Sequence, residues 1–443
     1  MTIRTRSLIG LIITSLVLCL CGQSFLEAQD KGDSLTIDQA VQTALSDNLT
    51  LRNARLDVVA ANARIGSARS AGRLQIQGSG QYQRMSEIPE FRLPSPIPIP
   101  SPEVAILVQD NITGLIAIRQ AVYTGGRVGA KVSIADAQFD AAVARLAAAE
   151  AQIALQTRVA YFNVLLRQGL AKSNEENLKA AKEQLDAATA RFDAGTAPKF
   201  DVLRAQTQVS QAEQDLTQSR NRVETSQIQL NKVLGVPLGK GYVLSEPPEA
   251  APPTKDIASL IEIAESQRAE MLAARAQVVA AESGIRLASS QLLPELDLVA
   301  NYNMVQRTNP VQITNWTYLV MLSMPLVDGG KAKSDIEEAR ALHDEAQTNL
   351  EDTARLIEQE VRNAYLDVQT AYKDIETAKT RLAQATEAYD VANVRYESGV
   401  GTAVEQADAV ATLSQARTNL DTARFNYIAS YAALQRALGL ITY

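Results

Sequence analysis

Two halves of the chain carry the same pattern at a constant offset, and that duplication restricts the fold more than any other feature. Tyr123-Thr-Gly-Gly-Arg127 falls on Val327-Asp-Gly-Gly-Lys331, and Arg158-Val-Ala-Tyr161 on Arg362-Asn-Ala-Tyr365. Arg191-Phe-Asp-Ala-Gly195 falls on Arg395-Tyr-Glu-Ser-Gly399, and Leu230-Asn-Lys-Val-Leu-Gly235 on Leu434-Gln-Arg-Ala-Leu-Gly439, always 204 positions later. No gap is needed, so every element downstream of the glycine pairs is expected twice. Upstream the offset becomes 220, because Val58-Val-Ala-Ala61 matches Val278-Val-Ala-Ala281. The first half therefore holds 16 extra residues (220 less 204) between Ser70 and Tyr123. Pro89, Pro94, Pro96, Pro98, Pro100 and Pro102 fall there and predict an extended surface loop, an insertion that loop-closure entropy tolerates.

Arg4 and Arg6, the apolar run from Leu8 to Leu20 and Leu26-Glu27-Ala28 read as a secretory signal peptide over residues 1–28. A membrane anchor would need a longer run. Lipid attachment at Cys21 is a further option, although Leu20 stands where that processing needs a small residue. Both cysteines, Cys19 and Cys21, lie in this segment, so the mature chain has no disulfide framework and must be held by packing. Loss of Arg4, Arg6 and Glu27 takes the net charge from −7 to −8, and an acidic exported chain argues against nucleic acid as a partner. The lone histidine, His343, sits in a helical segment beside Asp344 and reads as part of a solvated face, which leaves no His or Cys metal site.

From Val128 to about Phe192 there is no proline and only two glycines, Gly129 and Gly169, among Ala, Leu, Glu, Gln and Arg. This predicts a helix about 100 Å long over 128–193, repeated over 332–397. Return helices are expected over 199–234 and 403–438, with Pro237 as a stop beyond the first. Val209, Leu216, Val223 and Leu230 recur every seven residues, as do Leu413, Leu420, Tyr427 and Leu434; mostly small residues three positions later let helices approach closely. Further single helices are expected over 36–71 and 257–291, laid end to end with the return helices to match the long ones. Helices alone leave an ordinary coiled coil open.

Strand character over about 74–85 and 105–122, and over 295–307 and 316–327, adds two strands per half. Four strands cannot close a barrel, and exposed edges in an exported chain invite aggregation. Two chains would give eight strands and a filled interior, whereas three give twelve and leave a lumen. The expected fold is thus mainly α with a small β part: a duplicated chain, 29–235 and 257–443, joined by a Pro-rich connector over 236–256. Strands of about ten residues suit an outer-membrane span.

With these parts in place the chain resembles the TolC-type outer-membrane efflux family over nearly its whole mature length. Carrying the resemblance are the two glycine-pair motifs, Arg191-Phe-Asp-Ala-Gly195 followed by Asp201-Val-Leu-Arg-Ala-Gln206, and Arg395-Tyr-Glu-Ser-Gly399 followed by Glu405-Gln-Ala-Asp408. It implies a homotrimer: a 12-stranded outer-membrane β-barrel continuous with an α-helical tunnel in the periplasm, set in outer-membrane lipid. The implied partners are a periplasmic adaptor (membrane fusion protein) and an inner-membrane transporter of RND, ABC or MFS type. Such a chain is a passive conduit and no enzyme, with no cofactor. No nucleotide loop, metal cluster or nucleophile and base pairing stands out, and the glycine pairs lack the rest of a phosphate motif.

Gly125, Gly126, Gly329 and Gly330 mark the strand-to-helix junctions. Gly195 and Gly399 read as left-handed helix ends. Arg191 and Arg395, one turn earlier, suit the negative end of the helix dipole. By resemblance these turns form the periplasmic mouth and dock the adaptor. Thr402-Ala-Val-Glu405 fits a capping box, which explains Glu405 without a gate. Asp408 is less well explained, and three-fold symmetry would gather its copies near one axis. The resemblance assigns Glu405 and Asp408 to an acidic constriction, but Gly401 stands where it leads one to expect a basic residue. Asp201 and Arg204, the latter the counterpart of Asp408, are therefore expected to supply closed-state contacts. Two alternatives stay open: the outer-membrane component of a type I protein or peptide secretion system, and a periplasmic coiled-coil scaffold.

Overall fold

The computed structural model describes residues 34–86, 110–245, 256–307 and 312–440. The signal peptide over 1–28, the proline-rich insertion and most of the connector's prolines lie outside the described residues. In order, the elements are β1 (Ser34–Leu35), α1 (Ile37–Asp47), α2 (Leu49–Ser70), β2 (Gln75–Arg84), β3 (Asp110–Tyr123), α3 (Arg127–Asp193) and α4 (Lys199–Leu234). The second half follows with β4 (Val243–Leu244), α5 (Ile257–Gln267), α6 (Ala269–Ser290), β5 (Glu295–Arg307), β6 (Gln312–Ser323), α7 (Lys331–Glu397) and α8 (Ala403–Ala437). The two long helices have 67 residues each, about 100 Å at 1.5 Å per residue.

The expected single helices over 36–71 and 257–291 are each broken once. Asn48 and Arg268, which are 220 positions apart, both take extended backbone at φ −63, ψ 126 and φ −69, ψ 130. The Asn48 side-chain oxygen accepts the Thr50 and Leu51 N–H groups, and its amide donates to the Val233 carbonyl of α4 at 2.8 Å. A side chain that caps a new helix start competes with continuing the old one, which propensity over the window does not register. Arg268 has no such cap bond and is held instead by ions: it is 3% exposed and contacts Glu270 and Glu360, both of which Arg436 also contacts.

These breaks seat the return helices. Gly235 ends α4 at φ 77, and a Cβ there would come within 2.4 Å of the Asp47 carbonyl oxygen, so backbone passes against backbone. The waist of the first half is a cluster of Ala40, Ala44, Leu51, Tyr161, Leu230 and Leu234; that of the second is built on Leu260, Met271, Val361, Val368, Tyr427 and Leu434. Below the second waist, Leu413 and Leu420 fill the holes beside Ala385, Ala416 and Ala378, Ala423, so the seven-residue pattern of α8 is buried along its length. On α4 the same positions are incomplete: Leu216 and Leu230 are buried, Val209 and Val223 only partly.

The connector contributes a feature the sequence did not reveal. β1 and β4 pair in parallel, Ser34 with Val243 and Leu35 with Leu244. Tyr161, fully buried on α3, donates its hydroxyl to the Leu35 carbonyl at 2.7 Å and accepts the Ser245 N–H at 2.8 Å. No helix among the described residues is long and apolar enough to cross a membrane.

Candidate functional site: the strand wall and the hairpin tips

The four long strands form one antiparallel sheet in the order β2-β3-β5-β6, so the two halves join through β3 and β5. Register decides what each face presents. Ile76 opposes Ile118, which opposes Ala300, which opposes Tyr318; Gly78, Ile116, Tyr302 and Trp316 form the next such row. One residue along, the row changes character: Gln77, Ala117, Asn301 and Thr317 align, as do Gln81 and Thr113 in β2 and β3. Side chains alternate between faces with period two, so one face of this sheet is mainly apolar and the other more polar, with Val299, Leu319, Val305 and Ile313 as apolar residues among its polar ones. Apolar outside and polar inside is the pattern of a membrane barrel wall.

Among the described residues no element covers the apolar face, and Tyr318, Val320 and Leu322 are 70–75% exposed. An aromatic group, Tyr302 against Trp316 at 5.0 Å and Trp316 stacked on Tyr318 at 6.1 Å, lies on that face. On the polar face near the helices, Arg119 contacts Asp297 at 2.6 Å and Arg127 contacts Glu295 at 3.0 Å, tying the first half to the second.

At the junctions Gly125 and Gly126 have φ 58 and 85, and Gly329 and Gly330 have φ 68 and 90. Gly125 is also sterically confined: a Cβ would lie 2.7 Å from that of Leu293. At the far ends Gly195 and Gly399 have φ 74 and 77. The Thr196 N–H donates to the Arg191 carbonyl, and in the second tip both Val400 and Gly401 donate to the Arg395 carbonyl at 3.0 and 2.8 Å. A Cβ on Gly401 would stand 3.0 Å from that carbonyl carbon, so the tight turn explains glycine where the resemblance leads one to expect a basic residue.

Sequence reasoning gave Arg191 no partner, and the structure supplies one: its guanidinium carbon lies 4.4 Å from the centroid of the Tyr396 ring on the other hairpin. Arg395 stays within its own hairpin, 3.9 Å from Glu405. Thr402 and Glu405 form the full capping box, with Thr402 Oγ1 accepting the Glu405 N–H and the Glu405 carboxylate accepting the Thr402 N–H. Asp201 sits in the first turn of α4, where a carboxylate suits the positive helix end. Asp408 is exposed one turn beyond Glu405. Within this protomer neither Asp201 nor Arg204 has an ion-pair partner among the described residues, so the structure does not bring the four expected gate residues into mutual contact.

Among the described residues no group of three His, Cys, Asp or Glu side chains could hold a metal ion. The arrangement offers a two-faced strand wall, a helical shaft and an acidic tip.

The family model for outer membrane efflux proteins matches residues 40–236 and 260–440. The outer membrane protein TolC of Vibrio cholerae is 26% identical over 320 residues, which are 70% of this chain and 72% of that one. Among solved structures, the CmeC outer membrane channel of Campylobacter jejuni superposes with a TM-score of 0.78 at 17% identity, covering 91% of this chain and 85% of its own. A membrane protein from Pseudomonas aeruginosa gives 0.76 at 21% identity, covering 91% and 93%. At these identities the structural matches speak for the fold.

Proposed function

The chain belongs to the outer membrane efflux protein family and is an outer-membrane efflux channel reaching into the periplasm, and from that premise we propose that the conduit is a homotrimer gated at its hairpin tips. The observation that carries this is the sheet with one mainly apolar and one more polar face running straight into two 67-residue helices. Four strands per protomer leave β2 and β6 as open edges. Joining β6 of one copy to β2 of the next repeats the β3–β5 joint already present inside the chain, and three copies give twelve strands and a lumen.

The helices support the same count. α3 packs on α2 and α4 at one flank and on α6 and α8 at the other, whereas the extensive contacts of its repeat α7 are with α5, α6 and α8. That leaves one flank of α7 without helix partners among the described residues, where α2 and α4 of a neighbouring copy would complete the pattern. In this assembly the two repeats, 29–235 and 257–443, are quasi-equivalent staves, and the start of the connector, residues 236–245, is held at the waist through the β1–β4 pair and Tyr161.

Glu405 and Asp408, exposed just inside α8, would form the acidic constriction. Arg204 and Asp201, without an ion-pair partner among the described residues of the protomer, would meet carboxylate and cation partners across the protomer boundary and hold the closed state. The tips around Arg191, Gly195, Arg395 and Gly399 would receive a periplasmic adaptor linked to an inner-membrane transporter, which supplies the energy to a channel that does no chemistry itself.

The test is single-channel conductance of detergent-purified protein in a planar bilayer. A small wild-type conductance that rises in Glu405→Ala/Asp408→Ala supports the gated trimer. No conductance, with a protein that stays in solution without detergent, points to the coiled-coil scaffold.

A further inference from the structure

Where the sheet passes into α3, Arg73, Gln75, Arg119, Arg127 and Lys131 line one cavity of about 160 Å³. Gln75 and Arg119 are cross-strand partners on the polar face of the sheet, so the cavity opens on that side and away from Ile76 and Ile118. Two of the four cations are neutralised, Arg119 by Asp297 and Arg127 by Glu295. Arg73 and Lys131 are exposed and have no carboxylate within ion-pair distance among the described residues.

The duplication supplies an internal control. At the same place in the second repeat Arg73 becomes Leu293 and Gln75 becomes Glu295 at the 220 offset; Arg119 becomes Ser323, Arg127 becomes Lys331 and Lys131 becomes Asp335 at 204. Lys331 is paired there with Asp335. The strand-to-helix junction therefore folds without a cationic cluster, and the cluster in the first repeat is not a requirement of the turn. It also stands against the acidic balance of the chain, which carries a net −7.

We infer that Arg73 and Lys131, backed by Arg119 and Arg127, form an anion-binding collar at the inner mouth of the strand barrel, where solutes bearing phosphate or carboxylate groups are held as they leave the helical shaft. The inference rests on the reading that the polar strand face lines the lumen of a trimer. Three copies then place six uncompensated cations, two per protomer, around one section of the pore. Rings of Arg and Lys select and retain anions in pores, and a low-dielectric wall focuses their field.

The probe is inorganic tripolyphosphate, added to a planar bilayer holding the purified channel, on the side opposite protein addition and so facing the barrel. Wild type is expected to show concentration-dependent block at low salt. Arg73→Gln/Lys131→Gln should raise the half-blocking concentration at least about tenfold, whereas Lys331→Gln, the repeat counterpart of Arg127 already matched by Asp335, should leave it unchanged. An unchanged half-blocking concentration in the double variant overturns the collar while the channel stands, since conductance is still seen. Equal loss of block in Lys331→Gln also overturns it, because a general surface charge would then be responsible. If the double variant instead sheds anionic phospholipid carried through purification, with block unaltered, the cluster faces headgroups and the lumenal site is wrong. Absence of conductance in wild type removes the channel reading and the collar with it.

Discussion

Arg191 at the end of α3 lies with its guanidinium 4.4 Å from the ring centroid of Tyr396 at the end of α7, so the two hairpin tips of one protomer are tied across the repeat. The tie is asymmetric, because its repeat counterpart, Arg395, turns to Glu405 of its own hairpin instead. One protomer thus presents its two tips as a coupled pair. A cation on an aromatic face at an accessible site contributes about 0.5–1 kcal/mol. Arg191→Ala is expected to raise amide hydrogen exchange in both turns, 193–198 and 397–402, while Arg191→Lys keeps part of the protection. Faster exchange confined to the first turn would show that the contact does not couple the tips.

The strand faces make opposite demands on the same substitution. Ile116 lies on the apolar face, in the row of Tyr302 and Trp316, and Gln77 on the polar one. A lysine facing lipid near the bilayer centre costs about 2–4 kcal/mol, and one facing a wet lumen far less. Ile116→Lys is therefore expected to cut assembly into the outer membrane sharply, and Gln77→Lys to leave it near wild type. Trimer yield in membrane fractions reads the difference, and equal yields would mean the faces are assigned the wrong way round.

Two glycines with nearly the same backbone angle should respond differently to alanine. Gly195 at φ 74 has open space around its missing Cβ, so Gly195→Ala carries only the left-handed backbone cost of about 1–2 kcal/mol. Gly235 at φ 77 would drive a Cβ to 2.4 Å from the Asp47 carbonyl oxygen, and that oxygen belongs to the chain just before the Asn48 break. Gly235→Ala must therefore displace α1 from α4 as well. Thermal unfolding in detergent is expected to fall more for Gly235→Ala than for Gly195→Ala, and equal shifts would show that the waist yields without cost.

What was legible in the sequence follows from range. The long helices expected over 128–193 and 332–397 run Arg127–Asp193 and Lys331–Glu397, since glycine pairs and helix-ending glycines are local signals that occur twice. The breaks at Asn48 and Arg268 were missed for different reasons. Asn48 carries a local cap that could have been weighed, whereas Arg268 is held out of helix by Glu360, 92 residues away, and by the Arg436 that shares it. The Arg191–Tyr396 contact and the basic cavity likewise join elements far apart in the chain, and no periodicity encodes them. The quasi-equivalence that argues for three copies was readable only in part: the offset was plain, but which flank of α7 lacks a partner needs coordinates.

The ion cluster at the Arg268 break gives the waist a pH dependence with a definite sign. Burial raises the Glu270 carboxyl, but hydrogen bonds from Arg268 and the charges of Arg268 and Arg436 outweigh it and hold the group below its ordinary value. A carboxyl depressed in the folded state adds stability that is complete above its unfolded value, about 4.3 for Glu, and lost as pH falls through the lower folded value. Glu270→Gln is expected to destabilise at pH 7 by removing a counter-ion from nearly buried Arg268, toward the low end of ~3–5 kcal/mol because Glu270 keeps 32% of its side chain exposed. The gap between wild type and variant should then narrow as pH is lowered below about 4. Thermal midpoints of both proteins at neutral and acid pH measure that gap, and a gap that stays constant would locate the acid sensitivity of this channel elsewhere than the α5–α6 break.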